Sequence, residues 1–431
     1  MRIQVPGDKS LTQRALILAS LAEGESRLSG LLHGGDAAST AGALRTLGVS
    51  MGPIPTDGGE LRVTGVGLRG LTTAPTRLDL GNSGTGARLL LGVLAGAGAD
   101  AVVTGDESLC RRPMRRITEP LEAMGATFEW MGVPGRLPLR IRGGQPLRPL
   151  EWSSPVASAQ VKSALLLAGI TGGAFVHLTE PRQSRDHTER LLAQMGAPLI
   201  CHAPGGGWRV ELRDPPLRLD PLDFRVPGDL SSAAFLLASV AMSGGREGVV
   251  IESVGLNPTR TGFLDVLDLM GVPLEIVPDG PPGPGEPVGT VAASPGSTLR
   301  GVHVGSTQVP GLIDELPLVA VLGTRAEGLT RISGAGELRH KESDRIAALV
   351  ENLRAVGARA EEKEDGLTVE GSAAPLTGHV RTRGDHRIAM AFGVLGAAPG
   401  NRITVDDPGA AAVSFPGFWP LLERIVGGRG P

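Results

Sequence analysis

The feature that most constrains the fold of this 431-residue chain is a pattern that occurs six times: an apolar, helix-like run ends in glycine and is followed by a strand-like stretch. The glycines are Gly48, Gly125, Gly196, Gly271, Gly357 and, less clearly, Gly427. A glycine after the last helical turn can take the left-handed conformation that ends a helix. Units of roughly 75 residues are too long for a solenoid and predict helix–strand supersecondary units, three in each half. Chance glycines in a chain that contains 64 of them are the alternative.

The two halves of the chain also resemble each other directly. Val5–Asp8 (VPGD) recurs as Val226–Asp229, and Leu16–Ala22 (LILASLA) matches Phe235–Ala241 (FLLASVA) after a two-residue slip. We interpret the halves as copies of one scaffold. The length of the chain agrees with two or three domains rather than one core.

Lysine is rare in this chain and is concentrated in polar motifs. Only four of the 42 basic residues are lysines, and Lys9, Lys162 and Lys341 lie in motif-like segments, whereas Lys363 looks like ordinary surface. Lys9 has no counterpart in the second copy, where Leu230 stands. A lysine ammonium is a compact, titratable donor that arginine does not replace, so we expect function at these positions. Drift under GC-rich coding is the alternative.

Composition excludes several classes of protein. The net charge of −3 and the pI near 6.3, with both signs interspersed, argue against a nucleic-acid surface. Cys110 and Cys201 fit neither a disulfide framework nor a zinc cluster, and the sequence suggests no metal and no cofactor. No apolar run reaches the length of a membrane span, and a motif begins by residue 5, which leaves no signal segment. We therefore expect a soluble, cytoplasmic protein without nucleic-acid or membrane partners.

Several polar segments stand at predicted helix starts, where free N–H groups and the helix dipole favour anions. Ser10 is expected to cap a helix over Leu11–Ala22. The other segments of this kind are Gly81–Gly86, Ser158–Ser163 and Ser184–Arg190, whereas Arg111–Arg116 crowds positive charge beside a turn. Each alone is equally compatible with a capped helix, a glycine-rich turn or a solvated charge cluster.

Carboxylates appear mainly in the second half. Asp314 and Glu315 precede the apolar run Leu318–Leu322, where a carboxylate at a helix mouth could act as a base. Glu342 and Arg345 are three residues apart and predict a shared helical face. A solvated helix face is the alternative for each segment. Together they offer several cations and a few carboxylates, which suits acid–base chemistry on a small polyanion.

Eight motifs follow one another in an order that resembles a known family. They are PGDKS-x3-RA, GNSGTG-x-R, TGDxSL-x2-RPM, SAQVKSALLLAG, SRDHTER, IDELP, HKESDRI and GDHRIAM. Their order resembles the 3-phosphoshikimate 1-carboxyvinyltransferase (EPSP synthase) family. The resemblance implies an α/β (α+β) fold of two similar domains, each made of three βαβαββ units of the inside-out α/β barrel type, with the active site in the cleft between them. It places one domain at 8–224, on the shikimate 3-phosphate side, and the other at 1–7 plus 225–431.

The reaction implied by this resemblance transfers the enolpyruvyl group of phosphoenolpyruvate to the 5-hydroxyl of shikimate 3-phosphate. It proceeds by addition and elimination through a tetrahedral adduct and releases phosphate; the enzyme is expected to be a monomer. The sister enzyme that acts on UDP-N-acetylglucosamine is the alternative, but it characteristically carries Lys-Asn where this chain has Lys9-Ser10. A non-catalytic anion-binding module would be expected to lose Asp314 or Glu342, and both are present.

The resemblance also implies the roles of individual residues. Shikimate 3-phosphate is expected to bind Lys9, Ser10, Arg14, Ser158, Ala159, Gln160, Ser184, Arg185, Asp314 and Lys341. Phosphoenolpyruvate is expected to bind Lys9, Asn82, Gly84, Arg112, Gln160, Arg345 and Arg387, with Arg88 nearby. Asp314 would take the proton of the 5-hydroxyl, and Glu342 would protonate the methylene carbon, assisted by Lys9 and Lys341.

The chain departs from some relatives in ways that concern glyphosate, the inhibitor of this family. A lysine near the C-terminus of some relatives is missing around Ser414. Arg185 marks the family group in which insensitivity is common, but insensitive members of that group carry alanine where this chain has Gly84. The additional space at a glycine predicts a sensitive enzyme.

Overall fold

A computed structural model describes residues 1–203, 205–244, 247–281, 283–296 and 298–427. The chain divides into two compact units. Unit 1 consists of Met1–Pro6, Pro227–Pro282 and Pro287–Pro431, and unit 2 consists of Gly7–Val226 with Gly283–Glu286. The main chain therefore passes from unit 1 into unit 2 after Pro6 and returns after Val226.

The helices are distributed along the whole chain. They are α1 (Lys9–Leu21), α2 (Gly35–Thr46), α3 (Gly84–Ala97), α4 (Glu107–Arg111), α5 (Arg115–Ala123), α6 (Ala159–Gly172), α7 (His187–Gln194), α8 (Leu230–Ser243), α9 (Gly262–Leu269), α10 (Val309–Leu312), α11 (Leu316–Gly323), α12 (Arg345–Ala355), α13 (His386–Gly396) and α14 (Phe418–Ile425). Short 3₁₀ helices span Gly336–His340 and Pro408–Val413.

The strands are short and alternate with these helices. They are β1 (Arg2–Ile3), β2 (Glu23–Ser29), β3 (Ser50–Met51), β4 (Leu61–Val66), β5 (Thr76–Asp79), β6 (Ala101–Thr104), β7 (Thr127–Trp130), β8 (Leu139–Arg142), β9 (Leu150–Ser153), β10 (Val176–Glu180), β11 (Leu199–His202), β12 (Trp208–Leu212), β13 (Asp223–Arg225), β14 (Val249–Gly255), β15 (Leu274–Pro278), β16 (Val288–Ala293), β17 (His303–Val304), β18 (Leu329–Ile332), β19 (Arg359–Lys363), β20 (Gly366–Glu370), β21 (Thr377–Val380) and β22 (Arg402–Val405).

Unit 2 contains three four-stranded sheets of one design. Their strand orders are β13-β2-β4-β3, β5-β6-β8-β7 and β9-β10-β12-β11. In each sheet the first two strands are parallel and the last two add antiparallel pairs. A parallel neighbour needs a helical crossover, whereas an antiparallel one needs only a turn. The order of elements β5-α3-β6-α4-α5-β7-β8 satisfies both requirements and, apart from the additional short helix α4, is the predicted βαβαββ unit.

Unit 1 repeats the design with strands from both ends of the chain. Its sheets are β1-β14-β16-β15 and β17-β18-β20-β19, and the described residues of the sixth unit form the parallel pair β21-β22. Strand β1 pairs in parallel with β14, while β13 pairs in parallel with β2 of unit 2. Each unit thus obtains the first strand of one sheet from a distant part of the sequence.

All six glycines predicted to end helices have the left-handed conformation. The φ angles of Gly48, Gly125, Gly196, Gly271, Gly357 and Gly427 lie between 70° and 107°. Each directly follows the C-cap residue of its helix, namely α2, α5, α7, α9, α12 or α14. The prediction that these six glycines end helices is confirmed, since residues other than glycine rarely adopt this conformation. The strand-like stretch expected after Gly427 lies outside the described residues.

Helices that are buried almost all round form the core of each unit. They are α1, α3 and α6 in unit 2, and α8, α11 and α13 in unit 1. Burial on nearly every face fits an interior position with the sheets outside. None of the helices in the described part of the chain combines the length and the apolar character that a membrane span requires.

Glycines let α3 and α6 approach each other very closely. A Cβ atom at Gly92 would lie 2.0 Å from the carbonyl oxygen of Ala164, and one at Gly96 would lie 2.0 Å from Thr171 Oγ1. Thr85, near the start of α3, meets Gln160, near the start of α6. The contacts run in the same order along both helices, so the two helices begin side by side.

Candidate active site

Many of the predicted functional residues lie at or beside the first turns of helices. In unit 2 they open α1, α3 and α6, whose N-caps are Asp8, Ser83 and Ser158. In unit 1 they lie at the starts of α11, α12 and α13. The first N–H groups of a helix have no partner within it and carry the positive end of the dipole. Both units therefore present anion-attracting helix termini together with charged side chains.

The N-cap of α1 differs from the prediction. Asp8, not Ser10, caps this helix: its Oδ1 accepts from the Leu11 N–H at 2.7 Å. Ser10 lies one residue inside the helix, and its hydroxyl accepts from Arg14 Nη1 at 2.5 Å. The prediction failed because Asp and Ser are both good caps, and the sequence places two of them within three residues.

Arg14 is buried and held by neutral oxygens. Its Nε donates to Thr188 Oγ1 at 2.8 Å, and its Nη2 donates to Ser163 Oγ at 3.2 Å. Only 2% of its surface is exposed, and burial lowers its pKa to about 10. The guanidinium is still protonated at neutral pH. A buried cation whose direct partners are mainly hydroxyls is a ready site for an anion.

Lys9, at the start of α1, forms an ion pair with a carboxylate of α2. Its Nζ lies 3.3 Å from Asp36 Oδ2, and 21% of the Lys9 side chain is exposed. Asp36 is the first-turn carboxylate of α2, which the sequence reasoning did not select. The partly exposed ammonium of Lys9 can therefore be oriented by Asp36 and still reach a ligand.

Gln160 links the starts of α6 and α3. Its Nε2 donates to Thr85 Oγ1 at 3.1 Å, and its Oε1 accepts from Arg88 Nη1 at 2.9 Å and from Arg116 Nη2 at 3.4 Å. Ala159, the first residue of α6, lies beside it. The prediction that Arg88 lies close to the other site residues agrees with this arrangement.

Arg112 and Asn82 form a second chain of hydrogen bonds in unit 2. Arg112 Nη2 donates to Asn82 Oδ1 at 2.5 Å, and Asn82 Nδ2 donates to Asp106 Oδ2 at 2.7 Å. Gly84 adjoins this chain: a Cβ atom at this position would lie 3.0 Å from Arg112 Nη1 and 3.1 Å from Arg88 Nη1. Asp106 was not predicted, although its place in the TGDxSL motif was a signal.

Ser158 and Ser184 meet at a carboxylate that the sequence reasoning missed. Glu180, the last residue of β10, accepts from the Ser158 N–H at 2.9 Å and from Ser184 Oγ at 2.8 Å. Arg185 follows Ser184 at the surface and is half-buried. Lys162 lies 3.1 Å from Glu180 and is completely buried. Residues from two separate motifs are thus brought together by a strand end.

Arg345 is the centre of the charged cluster in unit 1. It donates from Nε to Asp385 Oδ2 at 2.8 Å and from Nη2 to Glu342 Oε2 at 2.5 Å. Its Nη1 lies 3.4 Å from Asp314 Oδ1. These carboxylates outweigh burial and hold the pKa of Arg345 above its ordinary value, while Arg345 in turn lowers the pKa of Asp385 against the opposing effect of burial.

The predicted pairing of Glu342 with Arg345 is present, but the reason differs. Helix α12 begins at Arg345 and is capped by Asp344, so Glu342 precedes the helix rather than sharing a face with Arg345. A turn before the helix brings the carboxylate to the guanidinium.

Asp314 is surrounded by cations. Besides Arg345, its carboxylate lies 3.7 Å from Arg387 Nε, 3.7 Å from Arg260 Nη1 and 3.9 Å from Lys341 Nζ. Arg387 also donates to the Asp314 carbonyl oxygen at 3.1 Å. Asp314 and Glu315 precede α11, as the sequence predicted.

Arg260 is another residue that the sequence reasoning missed. It is 4% exposed and donates from Nη2 to Ser231 Oγ at 2.6 Å. The same nitrogen lies 3.6 Å from Asp229 Oδ1 and 3.8 Å from Glu315 Oε1. Its position in an Asn-Pro-Thr-Arg turn resembles any surface arginine, so only the three-dimensional structure relates it to Asp314.

Comparison with known proteins gives consistent results. A family model described as EPSP synthase (3-phosphoshikimate 1-carboxyvinyltransferase) matches residues 1–422. The chain is 46% identical to the 3-phosphoshikimate 1-carboxyvinyltransferase of Alkalilimnicola ehrlichii over 97% of this chain and 92% of that protein. It is 47% identical to the one of Acidiphilium cryptum, over 98% of this chain and 94% of that protein.

Solved structures resemble the chain in fold. EPSP synthase from Acinetobacter baumannii superposes with a TM-score of 0.83 at 39% identity, covering 99% of this chain and 95% of that one. The enolpyruvyl transferase NikO from Streptomyces tendae gives a TM-score of 0.76 at 19% identity, covering 100% of this chain and 95% of that one, and at that identity it supports the fold alone.

Proposed function

The chain belongs to the EPSP synthase family and transfers the enolpyruvyl group of phosphoenolpyruvate to the 5-hydroxyl of shikimate 3-phosphate, releasing phosphate, and we propose how its residues divide this reaction. Unit 2 supplies most of the cations and hydroxyls that bind the two substrates, and unit 1 supplies the carboxylates that move protons. In the proposed domain boundaries, the domain at 8–224 provides the binding groups and the domain at 1–7 plus 225–431 provides the carboxylates. The observation that supports it best is the contrast between Arg14, held mainly by hydroxyls, and Asp314, held by four cations.

Shikimate 3-phosphate is proposed to bind in unit 2 through the residues at the starts of α1, α6 and α7. They are Lys9, Ser10, Arg14, Ser158, Ala159, Gln160, Ser184 and Arg185, completed by Asp314 and Lys341 of unit 1. Charged hydrogen bonds and helix N-termini are the usual means of binding a phosphate. The buried Arg14 contributes strongly because a dianion relieves the cost of burying its charge.

Phosphoenolpyruvate is proposed to bind the fixed cations that were predicted for it. These are Lys9, Arg112, Arg345 and Arg387, with Asn82, Gly84 and Gln160 as neutral neighbours and Arg88 beside them. Arginine forks bind phosphate and carboxylate groups in two-point contacts. Because Asn82 fixes Arg112 and Asp385 fixes Arg345, little reorganisation is needed when charge develops.

Asp314 is proposed to be the base. It removes the proton from the 5-hydroxyl while that oxygen forms a bond to C2 of phosphoenolpyruvate. Cations close to a carboxylate favour its ionised form and weaken it as a base. When the anionic groups of phosphoenolpyruvate pair with Arg345 and Arg387, Asp314 loses part of this stabilisation and becomes the stronger base that the step requires.

Glu342 is proposed to be the acid, with Lys341 beside it. It delivers a proton to the methylene carbon, which becomes a methyl group in the tetrahedral adduct. In the elimination step the C2–O bond to phosphate breaks, and Glu342 takes a proton back from the methyl group. The departing phosphate takes up the proton that Asp314 received, which restores the base. The hydrogen bond of Glu342 to Arg345 couples this residue to the same guanidinium that contacts Asp314.

Beyond the reaction, we propose that the protein acts as a monomer in the cytoplasm, without metal, cofactor or nucleic-acid partner. Its interspersed charges and net charge of −3 support this proposal. Light scattering after gel filtration, with and without both substrates, tests the oligomeric state, and a dimer mass would reject it.

A turnover assay with two acceptors tests the assignment. Phosphate release from phosphoenolpyruvate is measured with shikimate 3-phosphate and, separately, with UDP-N-acetylglucosamine. We expect turnover with the first acceptor only. Turnover with the aminosugar nucleotide would favour the sister activity. No turnover with either acceptor would favour a binding module.

A further inference from the structure

Lys162 lies in a buried charged network that the reaction described above does not use. Its side chain is 0% exposed, and its Nζ lies 3.1 Å from Glu180 Oε2 and 2.8 Å from Glu189 Oε1. The same nitrogen donates to the Ser184 carbonyl oxygen at 3.1 Å. All three protons of the ammonium therefore have acceptors within reach.

Glu180 gathers hydrogen-bond donors from two of the segments proposed to bind phosphate. Oε1 accepts from the Ser158 N–H at 2.9 Å. Ser184 donates through its hydroxyl to both carboxylate oxygens at 2.8 Å and through its N–H to Oε2 at 3.3 Å. Glu180 thus fixes the backbone of Ser158 and the side chain of Ser184, and it competes with a phosphate for the Ser184 hydroxyl proton.

The network joins three elements. Lys162 lies in the first turn of α6, Glu180 ends β10, and Glu189 lies in the first turn of α7. Ser163, next to Lys162, shares a 2.7 Å hydrogen bond with Thr188, and both contact Arg14. The positions of Ser158, Ser184 and Arg14 consequently depend on the same small group of side chains.

The charges of the network explain why a lysine is needed. Two buried carboxylates stand against one ammonium, and burial raises the pKa of Glu189 despite the nearness of Lys162. Without Lys162, Glu180 would be an uncompensated anion next to the donors proposed for the phosphate, and buried charges without a partner are costly. A buried ion pair adds little net stability over an apolar pair, so stability alone is a weak reason for this one.

We propose that Lys162 and Glu180 are positioning residues for the phosphate group of the shikimate substrate. Glu180 aligns Ser158 and Ser184, and Lys162 neutralises Glu180 so that it does not repel the phosphate. The proposal rests on the binding roles given above to Ser158 and Ser184. Neither positioning residue needs to touch the substrate.

The test measures how strongly the enzyme prefers a phosphorylated acceptor. Calorimetry gives the dissociation constants of shikimate 3-phosphate and of shikimate, and their ratio reports recognition of the phosphate. Lys162→Met should reduce this ratio by ~10–100-fold, the range for a lost charge-assisted interaction. Glu180→Gln keeps the shape of the side chain and one acceptor oxygen, so it should reduce the ratio less. This variant still tests the proposal if Lys162→Met does not fold.

The double variant separates repulsion from a loss of packing. Lys162→Met with Glu180→Gln removes the unpaired negative charge, so its ratio should recover by several-fold over Lys162→Met alone. Lost packing would not be repaired by the second change. Ile170→Ala, about 12 Å further along the same helix, should lower the melting temperature and leave the ratio unchanged.

Three results would overturn the inference in different ways. If Ser158→Ala and Ser184→Ala reduce the ratio but the Lys162 and Glu180 variants do not, the positioning role is wrong while the binding roles stand. If the two serine variants also leave the ratio unchanged, the binding roles themselves are wrong. A Lys162→Met enzyme with lower kcat but unchanged KM for shikimate 3-phosphate would likewise indicate a purely structural lysine.

Discussion

Arg14 in unit 2 and Arg345 in unit 1 are both almost completely buried, yet their direct partners differ in kind. Arg14 donates to hydroxyls and a carbonyl, and burial lowers its pKa. Arg345 contacts the carboxylates of Asp385, Glu342 and Asp314, and its pKa is raised. Arg14 therefore gains a charged partner when an anion binds. Arg345 must instead exchange part of its contact with these carboxylates for contact with the anion.

The difference indicates how one duplicated scaffold came to serve two purposes. The repeated VPGD segment caps a helix in both units, through Asp8 in α1 and Asp229 in α8. After the cap the copies diverge: Lys9 pairs with Asp36, while Leu230 is buried in the core. In unit 1 the cation near the cap is instead Arg260, 3.6 Å from Asp229. The scaffold retained its cap, and the charge around it was arranged differently.

The largest effect is expected from the carboxylates of unit 1. Asp314→Asn and Glu342→Gln should each lower kcat by roughly 10²–10⁴-fold, the range for general acid–base groups. Binding of shikimate 3-phosphate should change little, because its proposed phosphate ligands are in unit 2. Steady-state kinetics and calorimetry measure the two quantities. The control is Glu351→Gln, at an exposed carboxylate on α12 that pairs with a surface arginine, Arg383. Near wild-type kcat in both variants would reject the assigned roles.

Arg345→Met should produce the next largest effect, on stability. It leaves Asp385 buried without its cation, which costs about 3–5 kcal/mol of unfolding free energy. In the wild type the lowered pKa of Asp385 contributes stability that is present at neutral pH and is lost as the pH falls through that lowered pKa.

The sign of this pH dependence should reverse in the variant. Without Arg345, burial dominates and raises the pKa of Asp385, so the folded state binds a proton more readily than the unfolded state. The stability deficit should therefore be largest near pH 7 and shrink towards about pH 4. Urea titrations at several pH values measure it. A deficit that stays constant over this range would show that Asp385 is not the group responsible.

Arg14→Met should give a smaller and pH-independent loss of stability. The hydroxyls of Ser163 and Thr188 can still pair with each other at 2.7 Å, so we expect a cost of about 1–3 kcal/mol. The KM for shikimate 3-phosphate should rise, while the deficit measured by urea titration should not vary between pH 4 and 7. If Arg14→Met and Arg345→Met responded alike to pH, the contrast between the two units would fail.

The sequence predicted the repeating parts of the site better than its long-range contacts. The six helix-ending glycines and the helix starts at Ser158 and Asp314 follow from local rules of capping and periodicity. Glu180 and Arg260 were missed because nothing local distinguishes a carboxylate at a strand end, or an arginine in a turn, from a surface residue. Their importance comes from distant partners: Glu180 contacts Ser158, 22 residues away, and Arg260 contacts Ser231, 29 residues away.

Gly84→Ala should have the smallest effect on the protein and a selective effect on one ligand, glyphosate. An alanine Cβ atom would lie 3.0 Å from Arg112 Nη1 and 3.1 Å from Arg88 Nη1, so both guanidinium groups must shift by a few tenths of an ångström. They are the flexible ends of side chains, and the backbone of Gly84 needs no left-handed angle, so the fold should tolerate the change. We expect the methyl group to shorten the space for this inhibitor, which is longer than phosphoenolpyruvate and, by the family resemblance, would occupy the same pocket.

The clash should weaken the binding of the inhibitor by about 1–3 kcal/mol. The binding of phosphoenolpyruvate should be weakened less, since the smaller anion can follow the displaced arginines. The inhibition constant for glyphosate should therefore rise more than the KM for phosphoenolpyruvate. Inhibition titrations on the wild type and the variant measure both. Gly42→Ala is the matched control, because its Cβ atom would enter open space on a helix of the same unit and should alter neither constant. Equal inhibition constants for the wild type and Gly84→Ala would reject the steric account.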